Sequence, residues 1–341
     1  MSNVRRHSPP ARLVDDSAFR PFPERDTVFS RRFWDEDTPY FGHDIHDRIP
    51  EIVSNHPPDG YSRLHYSALR AAWTVAECFE GAYRWEYLGD RAPGLDQLGQ
   101  MAVPDASAVT ERLKGVARMY GADLVGIARL DRRFLYAEVP GSARDLPPDA
   151  VWGIVIAIHM DAQAHQRSPD YVSGTATGVG YSRMAFAASC LSQFIRNLGY
   201  NAFPMGNDTA LSIPLAIDAG LGQLGRNGLL LTPEYGACVR LCKVVTDIPL
   251  VADTPADPGL HQACRNCTLC AEACEAQAIS RAPEPSYDTV CRSNNRGILR
   301  WAADHDRCYS FWVENGASCA NCISACPLTR RGMAAPSRGT F

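Results

Sequence analysis

The sequence predicts a core of mixed strands and helices, α+β or α/β, followed by a small cysteine-rich domain, and two observations predict it. Between about residue 107 and residue 245, apolar residues alternate between the helical period and the short continuous runs of buried strands. From residue 264 onward cysteines recur at fixed intervals: Cys264-x2-Cys267-x2-Cys270-x3-Cys274, then Cys308, then Cys319-x2-Cys322-x3-Cys326-Pro327. At 341 residues the chain accommodates one sizeable domain and one small one. The expected division is an irregular, partly helical N-terminal wrap over 1–100, the core over 101–255, and the cysteine-rich domain over 256–341.

Residues 1 to about 100 are rich in Pro, Arg and Asp and hold one sustained helical pattern, His65 to Tyr87, where Leu69, Trp73, Ala76 and Phe79 share a face. From Ser107 the period sharpens: Val109, Leu113, Val116, Ala117 and Tyr120 line one side of a helix that Gly121 stops. Asp123 to Leu130 and Val151 to His159 are apolar runs that predict two strands. A long helix is expected from about Tyr181 to Leu198, closed by Gly199, then an extended segment through Phe203. The next helix, about Ala210 to Ala219, runs into a stretch containing Gly220, Gly222, Gly225 and Gly228. By letters this is G-x-G-x-x-G, but a dinucleotide fingerprint needs a strand before the first Gly and a helix after the last, and here a helix precedes. The better reading is a loop whose missing Cβ atoms admit a large flat ligand or a neighbouring chain segment. Cys238 to Val245 predicts a strand with Cys238, Arg240 and Cys242 on one face and Val239, Leu241 and Lys243 on the other. A Pro- and Asp-rich linker, about Val251 to Gly259, leads to the cysteines.

The cysteine spacing is that of two [4Fe–4S] clusters. Short C-x2-C steps wrap successive thiolates round one cube, and the x3 step carries the last cysteine to a neighbouring cube. In the crossed arrangement of two-cluster ferredoxins, Cys264, Cys267, Cys270 and Cys326 share cluster one, and Cys274, Cys308, Cys319 and Cys322 share cluster two. Structural zinc takes four ligands separated by a longer loop, and three cysteines at x2, x2 spacing crowd one tetrahedral ion. A disulfide framework does not suit a long chain that gathers nine of its 13 cysteines, the eight of the motifs among them, in its last quarter. Glu275 stands where ferredoxin motifs place Pro, so the turn after Cys274 and its hydrogen bonds to the cluster are expected to differ. Cys78, Cys190, Cys238, Cys242 and Cys291 read as buried small hydrophobes.

The formal net charge is −4, from 34 basic and 38 acidic residues, with no run of Lys or Arg, so a nucleic-acid partner is not expected. Arg5-Arg6 and Ser30-Arg31-Arg32-Phe33 imitate a twin-arginine export signal, but Trp34-Asp35-Glu36-Asp37 is acidic where an apolar segment should follow. No run approaches the roughly 18 apolar residues of a membrane span. The expectation is a cytoplasmic protein, whose reducing compartment suits exposed thiolates.

Gly199-Tyr200, Gly206-Asn207, the run AGLGQLGRNGLLLTPEYG over 219–236, the following VRL, and RCYSFW…CANCISACP over 307–327 together resemble the reductive dehalogenases, from about Ala117 to Leu328. The resemblance implies a nitroreductase-like α/β domain that holds a corrinoid, beside a ferredoxin-like domain with two [4Fe–4S] clusters. It further implies that Co(I) of the corrinoid, fed by the clusters, cleaves a carbon–halogen bond of an organohalide. Cobalamin would bind base-off, largely through backbone and loops, Gly220, Gly222, Gly225 and Gly228 among them. In keeping with this, the chain lacks D-x-H-x-x-G: Asp44-Ile45-His46 is the nearest approach, with Ile49 in place of Gly, and His46 reads as solvated or capping. Tyr181 resembles the family's proton-donating tyrosine, and Asn207 and Arg240 the polar pair beside it. A phenol has a pKa of about 10, and a fixed guanidinium favours its phenolate, which makes proton donation easier. Lys243, on the other strand face, ranks below Arg240 as that cation.

Read alone, a Tyr at a helix start packs with its hydroxyl in water, Asn-Asp makes a turn and an Arg on a strand forms a salt bridge. Two other functions are open. Epoxyqueuosine reductases share the ground plan and would use a carboxylate near Asn207, for which Asp208 is the candidate. A non-catalytic iron–sulfur carrier would use the α/β domain for docking alone. With no fused reductase module expected after Cys326, an external ferredoxin or flavodoxin would supply electrons. Trp301, Phe311 and Trp312 are aromatic enough to line a substrate pocket or to be core.

Overall fold

The computed structural model describes residues 13–54, 57–78, 91–95, 97–137, 146–257 and 259–331. Its strands are β1 (Leu124–Arg129), β2 (Trp152–His159), β3 (Ala202–Met205), β4 (Gln223–Leu224), β5 (Leu230–Leu231) and β6 (Val239–Thr246). The helices that position the site are α1 (Arg63–Ala72), α2 (Ala106–Met119), α3 (Tyr171–Asn197) and α4 (Ser212–Asp218). In the cysteine-rich part they are α5 (Leu260–Arg265), α6 (Leu269–Glu272), α7 (His305–Asn315) and α8 (Asn321–Ser324).

β1, β2, β6 and β3 form one sheet in that order, and β4 and β5 a separate hairpin. Ile127 stands opposite Ile154, Ile154 opposite Val244, and Pro204 opposite Val244, with every pairing in the sheet antiparallel. Of the two readings, α+β and α/β, the pairing selects α+β. Alternation of strand and helix along a sequence does not reveal the direction in which the chain returns, and only pairing fixes it.

Strand periodicity sorts the side chains as expected. Ile127, Ile154, Ile156, Cys242 and Val244 face the core under α2 and α3. Ala128, Val155, Ala157, Leu241 and Val245 face the core under α4. A Cβ on Gly126 would come within 2.2 Å of the Ala219 carbonyl, so glycine on β1 lets the end of α4 lie on the sheet.

The long helix α3 begins at Tyr171, not Tyr181. Its first turns carry Gly174, Gly178, Gly180 and β-branched Val172, Thr175, Thr177 and Val179, all poor helix formers. Tertiary contact overrides them. Asp170 caps the start by accepting from Val172 N and Ser173 N, and a Cβ on Gly174 would lie 2.4 Å from Leu69 of α1. The helical pattern of His65 to Tyr87 is also interrupted, because α1 stops at Ala72 and a second short helix, Thr74–Cys78, follows. Ser182 of α3 causes the break: its hydroxyl donates to Ala72 O at 2.6 Å and accepts from Ala76 N at 3.2 Å, replacing the backbone bond between those residues. The remainder of that pattern, Phe79 to Tyr87, lies outside the described residues, as does Arg5-Arg6.

The second Arg pair is built into the fold. Arg31 is 4% exposed and pairs with Asp35 at 2.8 Å and Asp306 at 2.6 Å, and Arg32 pairs with Asp44. His46 stays at the surface beside Tyr66. The segment expected as a linker is pinned at its start, where Asp253 accepts from Ile127 N at 2.7 Å and Lys114 Nζ at 2.6 Å. No helix among the described residues is long and apolar enough to cross a membrane.

Candidate active site and cluster centre

Three distant parts of the chain meet at Tyr181. It projects from α3, Asn207 from the loop after β3, and Arg240 from β6. Asn207 Nδ2 donates to Tyr181 Oη at 2.7 Å, and Arg240 Cζ lies 4.9 Å from the phenol ring centroid, so the guanidinium lies over the ring. The ring stacked on Tyr181 is Trp73, at 4.5 Å and 27°. Two glycines make these approaches possible. A Cβ on Gly178 would fall 2.6 Å from Trp73 Cδ1, and one on Gly180 3.1 Å from both Arg240 Cγ and Met160 Cγ.

Lys243 occupies the opposite face of β6 and is fully buried. Its ammonium donates to Gly206 O at 2.7 Å, Asp208 O at 3.1 Å, Ala210 O at 2.6 Å and Ser212 Oγ at 3.0 Å. The loop carrying Asn207 is thus folded round one ammonium, while burial pushes Lys243 down to about 8. Asp208 turns into the same loop, accepting from Gly206 N and Thr209 Oγ1.

Sequence reasoning gave Trp73 only a helix face and missed Gly178, Gly180 and His165 entirely. The signal for the glycines was there, since glycines in a helix interior mark close approach. His165 has no exposed surface and is pushed down to about 3, first by burial and then by the charge of Arg240. Its Nδ1 meets Ser173 Oγ at 2.9 Å, while the buried His165 Nε2 and Arg240 Nε have no hydrogen-bond partner among the described residues. Orphaned buried nitrogens are costly unless a ligand meets them. A corrinoid, rimmed with amides and carrying a phosphate, offers the polar groups that would do so, and the residues fit it.

The glycine stretch is the β4–β5 hairpin. A Cβ on Gly222 would lie 2.0 Å from Leu231 O, one on Gly225 2.7 Å from Leu231 Cγ, and one on Gly220 2.7 Å from Thr254 O, whereas Gly228 has open space. At Gly220, Gly222 and Gly225 the neighbour that the missing Cβ admits is a segment of the chain.

Cys264 is on α5, Cys270 on α6, Cys308 on α7 and Cys322 on α8. Thiolates on one zinc ion at about 2.3 Å would lie about 3.8 Å from one another. Among the described residues, the one group of three or more Cys, His, Asp or Glu ligand atoms within 4.8 Å is Cys291, Asp304 and Asp306, so the motif thiols are not gathered round a single ion. They do gather more loosely. Cys270 feels Cys264, Cys326 and Cys267, and Cys308 feels Cys319 and Cys274, with burial the first cause in pushing both up to about 12; the eighth, Cys322, feels Cys319 and Cys308 first, then Cys270 and Cys274. Backbone amides aim at sulfur: Arg226 N at Cys264 Sγ, 3.5 Å; Ala278 N at Cys274 Sγ, 3.3 Å; Asn321 N at Cys319 Sγ, 3.4 Å. The turn after Cys274 closes without proline, by Gln277 N to Cys274 O at 2.8 Å with Gln277 at φ 47°. Eight thiols in two loose sets, with amides directed at them, fit two iron–sulfur cubes.

Of the other thiols, Cys238 and Cys242 are buried and pushed up to about 12. Cys291 departs from the expectation, being half-buried beside two carboxylates, and the side chain of Cys78 lies outside the described residues. Trp301 is core, 1% exposed, and Trp312 packs near Phe29 and Tyr309.

Residues 142–250 match the family model described as the reductive dehalogenase subunit, and 263–329 match the 4Fe-4S dicluster domain. A tetrachloroethene reductive dehalogenase of Desulfitobacterium hafniense is 36% identical over 289 residues, covering 72% of this chain and 52% of that protein. The chain belongs to the reductive dehalogenase family. A tetrachloroethene reductive dehalogenase of Sulfurospirillum multivorans is 35% identical over 302 residues, covering 79% of this chain and 58% of that protein. A solved reductive dehalogenase, described with a mechanism for B12-dependent dehalogenation, superposes with a TM-score of 0.73 at 24% identity, over 96% of this chain and 44% of that one. The chain spans about half the length of the curated reductive dehalogenases it matches. An epoxyqueuosine reductase of Synechocystis is 36% identical over 122 residues, a third of this chain, which is the weaker likeness. The dicluster domain and the family membership carry the cofactor expectation: two [4Fe–4S] clusters and a corrinoid.

Proposed function

We propose that this chain is a reductive dehalogenase that replaces the halogen of an organohalide by hydrogen, with Tyr181 as the proton donor. The observation that supports this best is the convergence of Asn207 and Arg240 on Tyr181 from separate elements. The net reaction consumes two electrons and one proton and releases halide. When bound, a corrinoid would supply low-potential reducing chemistry toward the carbon–halogen bond, with the clusters as its electron supply. Asn207 fixes the direction of the Tyr181 hydroxyl, Trp73 and Arg240 hold the ring, and the hydroxyl hands its proton to the carbon that loses halide. Arg240 Nε and His165 Nε2 would meet polar groups of the corrinoid.

The proposed ligands are Cys264, Cys267, Cys270 and Cys326 for cluster one, and Cys274, Cys308, Cys319 and Cys322 for cluster two. The proposal extends to a nitroreductase-like core, to the domain division at about residues 100 and 255, to a cytoplasmic location, and to an external ferredoxin or flavodoxin as donor. Because two relatives are named for tetrachloroethene, a small chlorinated alkene is the first substrate to test. Anaerobically reconstituted protein with cobalamin and reduced viologen should release chloride from tetrachloroethene or another member of a halide panel. Reduction of epoxyqueuosine-containing tRNA with no halide from any substrate would overturn the reading. Retention of iron but no corrinoid would leave an electron carrier.

A further inference from the structure

Arg226 lies in the turn of the β4–β5 hairpin and is 1% exposed. Backbone carbonyls of the cysteine-rich part take up its guanidinium. Nε donates to Cys267 O at 2.8 Å and Cys264 O at 3.2 Å, Nη2 to Cys264 O at 2.9 Å, and Nη1 to Ala282 O at 2.7 Å and Ser280 O at 2.9 Å. The Trp301 ring lies 4.7 Å from Arg226 Cζ and is itself tied to Ala282 O through Nε1 at 3.0 Å.

Each of its three nitrogens has an acceptor, yet the charge has no counter-charge. Among the described residues no carboxylate pairs with Arg226, and a buried cation without a counter-ion is strongly disfavoured. What lies next to it is the loop of motif cysteines: the guanidinium grips the carbonyls of Cys264 and Cys267, and Arg226 N itself donates to Cys264 Sγ at 3.5 Å. A thiolate-held [4Fe–4S] cube is an anion in both oxidation states and gains one further negative charge on reduction.

We propose that Arg226 is the built-in counter-ion of cluster one: its fork shapes the loop that presents Cys264, Cys267 and Cys270, and its charge makes that cluster the easier to reduce. This rests on the ligand assignment proposed above. Arg226 is a positioning and tuning residue; it touches carbonyls, not substrate. The hairpin that carries it belongs to the core side, so the core sets the potential of a cluster held by another part of the chain.

The test is an anaerobic redox titration of reconstituted wild type, Arg226→Gln and Arg226→Lys, following the paramagnetic signal of each reduced cluster and counting iron. Cluster one is the signal altered in Cys264→Ser. The expected result for Arg226→Gln is two clusters' worth of iron and a cluster-one reduction equilibrium at least tenfold less favourable, about 59 mV for one electron. Cluster two should change less than threefold, and Arg226→Lys, which keeps the charge, should stay within threefold of wild type at both. Equal shifts at both clusters, or none with full iron, would overturn the proposal. If Arg226→Gln assembles only one cluster, Arg226→Lys decides: full iron with the wild-type potential supports the charge, and a second loss of cluster one reduces Arg226 to a folding role. A wild type that takes up less than two clusters' worth of iron overturns the ligand assignment instead.

Discussion

Lys243 and Arg226 place the same device in two regions of the molecule. Each is a buried cation enclosed by backbone carbonyls, and each folds a loop: Lys243 the one bearing Asn207, Arg226 the one bearing the first three motif cysteines. They differ in what lies next to the charge. Lys243 feels Asp208, and its loop turns a neutral amide outward to Tyr181, whereas Arg226 grips the backbone of Cys264 and Cys267 themselves. They also differ in chemistry, because an ammonium pulled down to about 8 can lose its proton and a guanidinium cannot. Carbonyl enclosure alone organises backbone; the neighbour of the cation decides whether its charge reaches the reaction.

The sharpest separation of the two regions comes from Tyr181→Phe. Loss of a positioned acid should lower halide release about 100- to 10,000-fold with iron content unchanged, as a rate assay beside an iron assay would show. Lys243→Met touches no reacting atom but frees the Asn207 loop, and displacement on the order of 1 Å should lower the same rate about 100-fold. Cluster spectra that change as much as the rate would show that the regions are not independent. Gly178→Ala forces Trp73 from the Tyr181 ring and should cost about 1–3 kcal/mol in denaturant unfolding, whereas Gly228→Ala, with open space but positive φ, should cost about 1.

The last effect is a slope. The unfolded pKa of Lys243 is about 10.4 and the folded one lower, so between the two the unfolded chain holds the extra proton. Stability from this group therefore rises with pH from about 8 to about 10.4, by at most about 1.4 kcal/mol per pH unit, and the cost of the buried ammonium is fully present below about 8. Unfolding of the wild type and Lys243→Met across that range should differ by this slope, and parallel curves would place the Lys243 pKa near its ordinary value.

What could be read from the sequence follows the range of the forces involved. The strand Val151 to His159 and the stop at Gly121 depend on local period and on one missing Cβ, and both were legible. The meeting of Tyr181, Asn207 and Arg240 came from resemblance, since residues 26 and 33 positions apart carry no local mark of contact. The antiparallel sheet was hidden because direction is fixed only by pairing. The first ten residues of α3 were hidden because poor helix formers are held there by Leu69 and Trp73 from another segment. Arg226 was legible only as a letter in a glycine run, because its partners lie 38 to 56 residues away.

The hydroxyl of Ser182 between Ala72 and Ala76 makes one amide an indicator of assembly order. Ala76 N has its partner on α3, so its exchange with solvent deuterium is slowed only while the wrap is docked. An amide that opens before those of β2 and β6 would mark the wrap as a cooperative unit that folds onto a finished core and leaves it first.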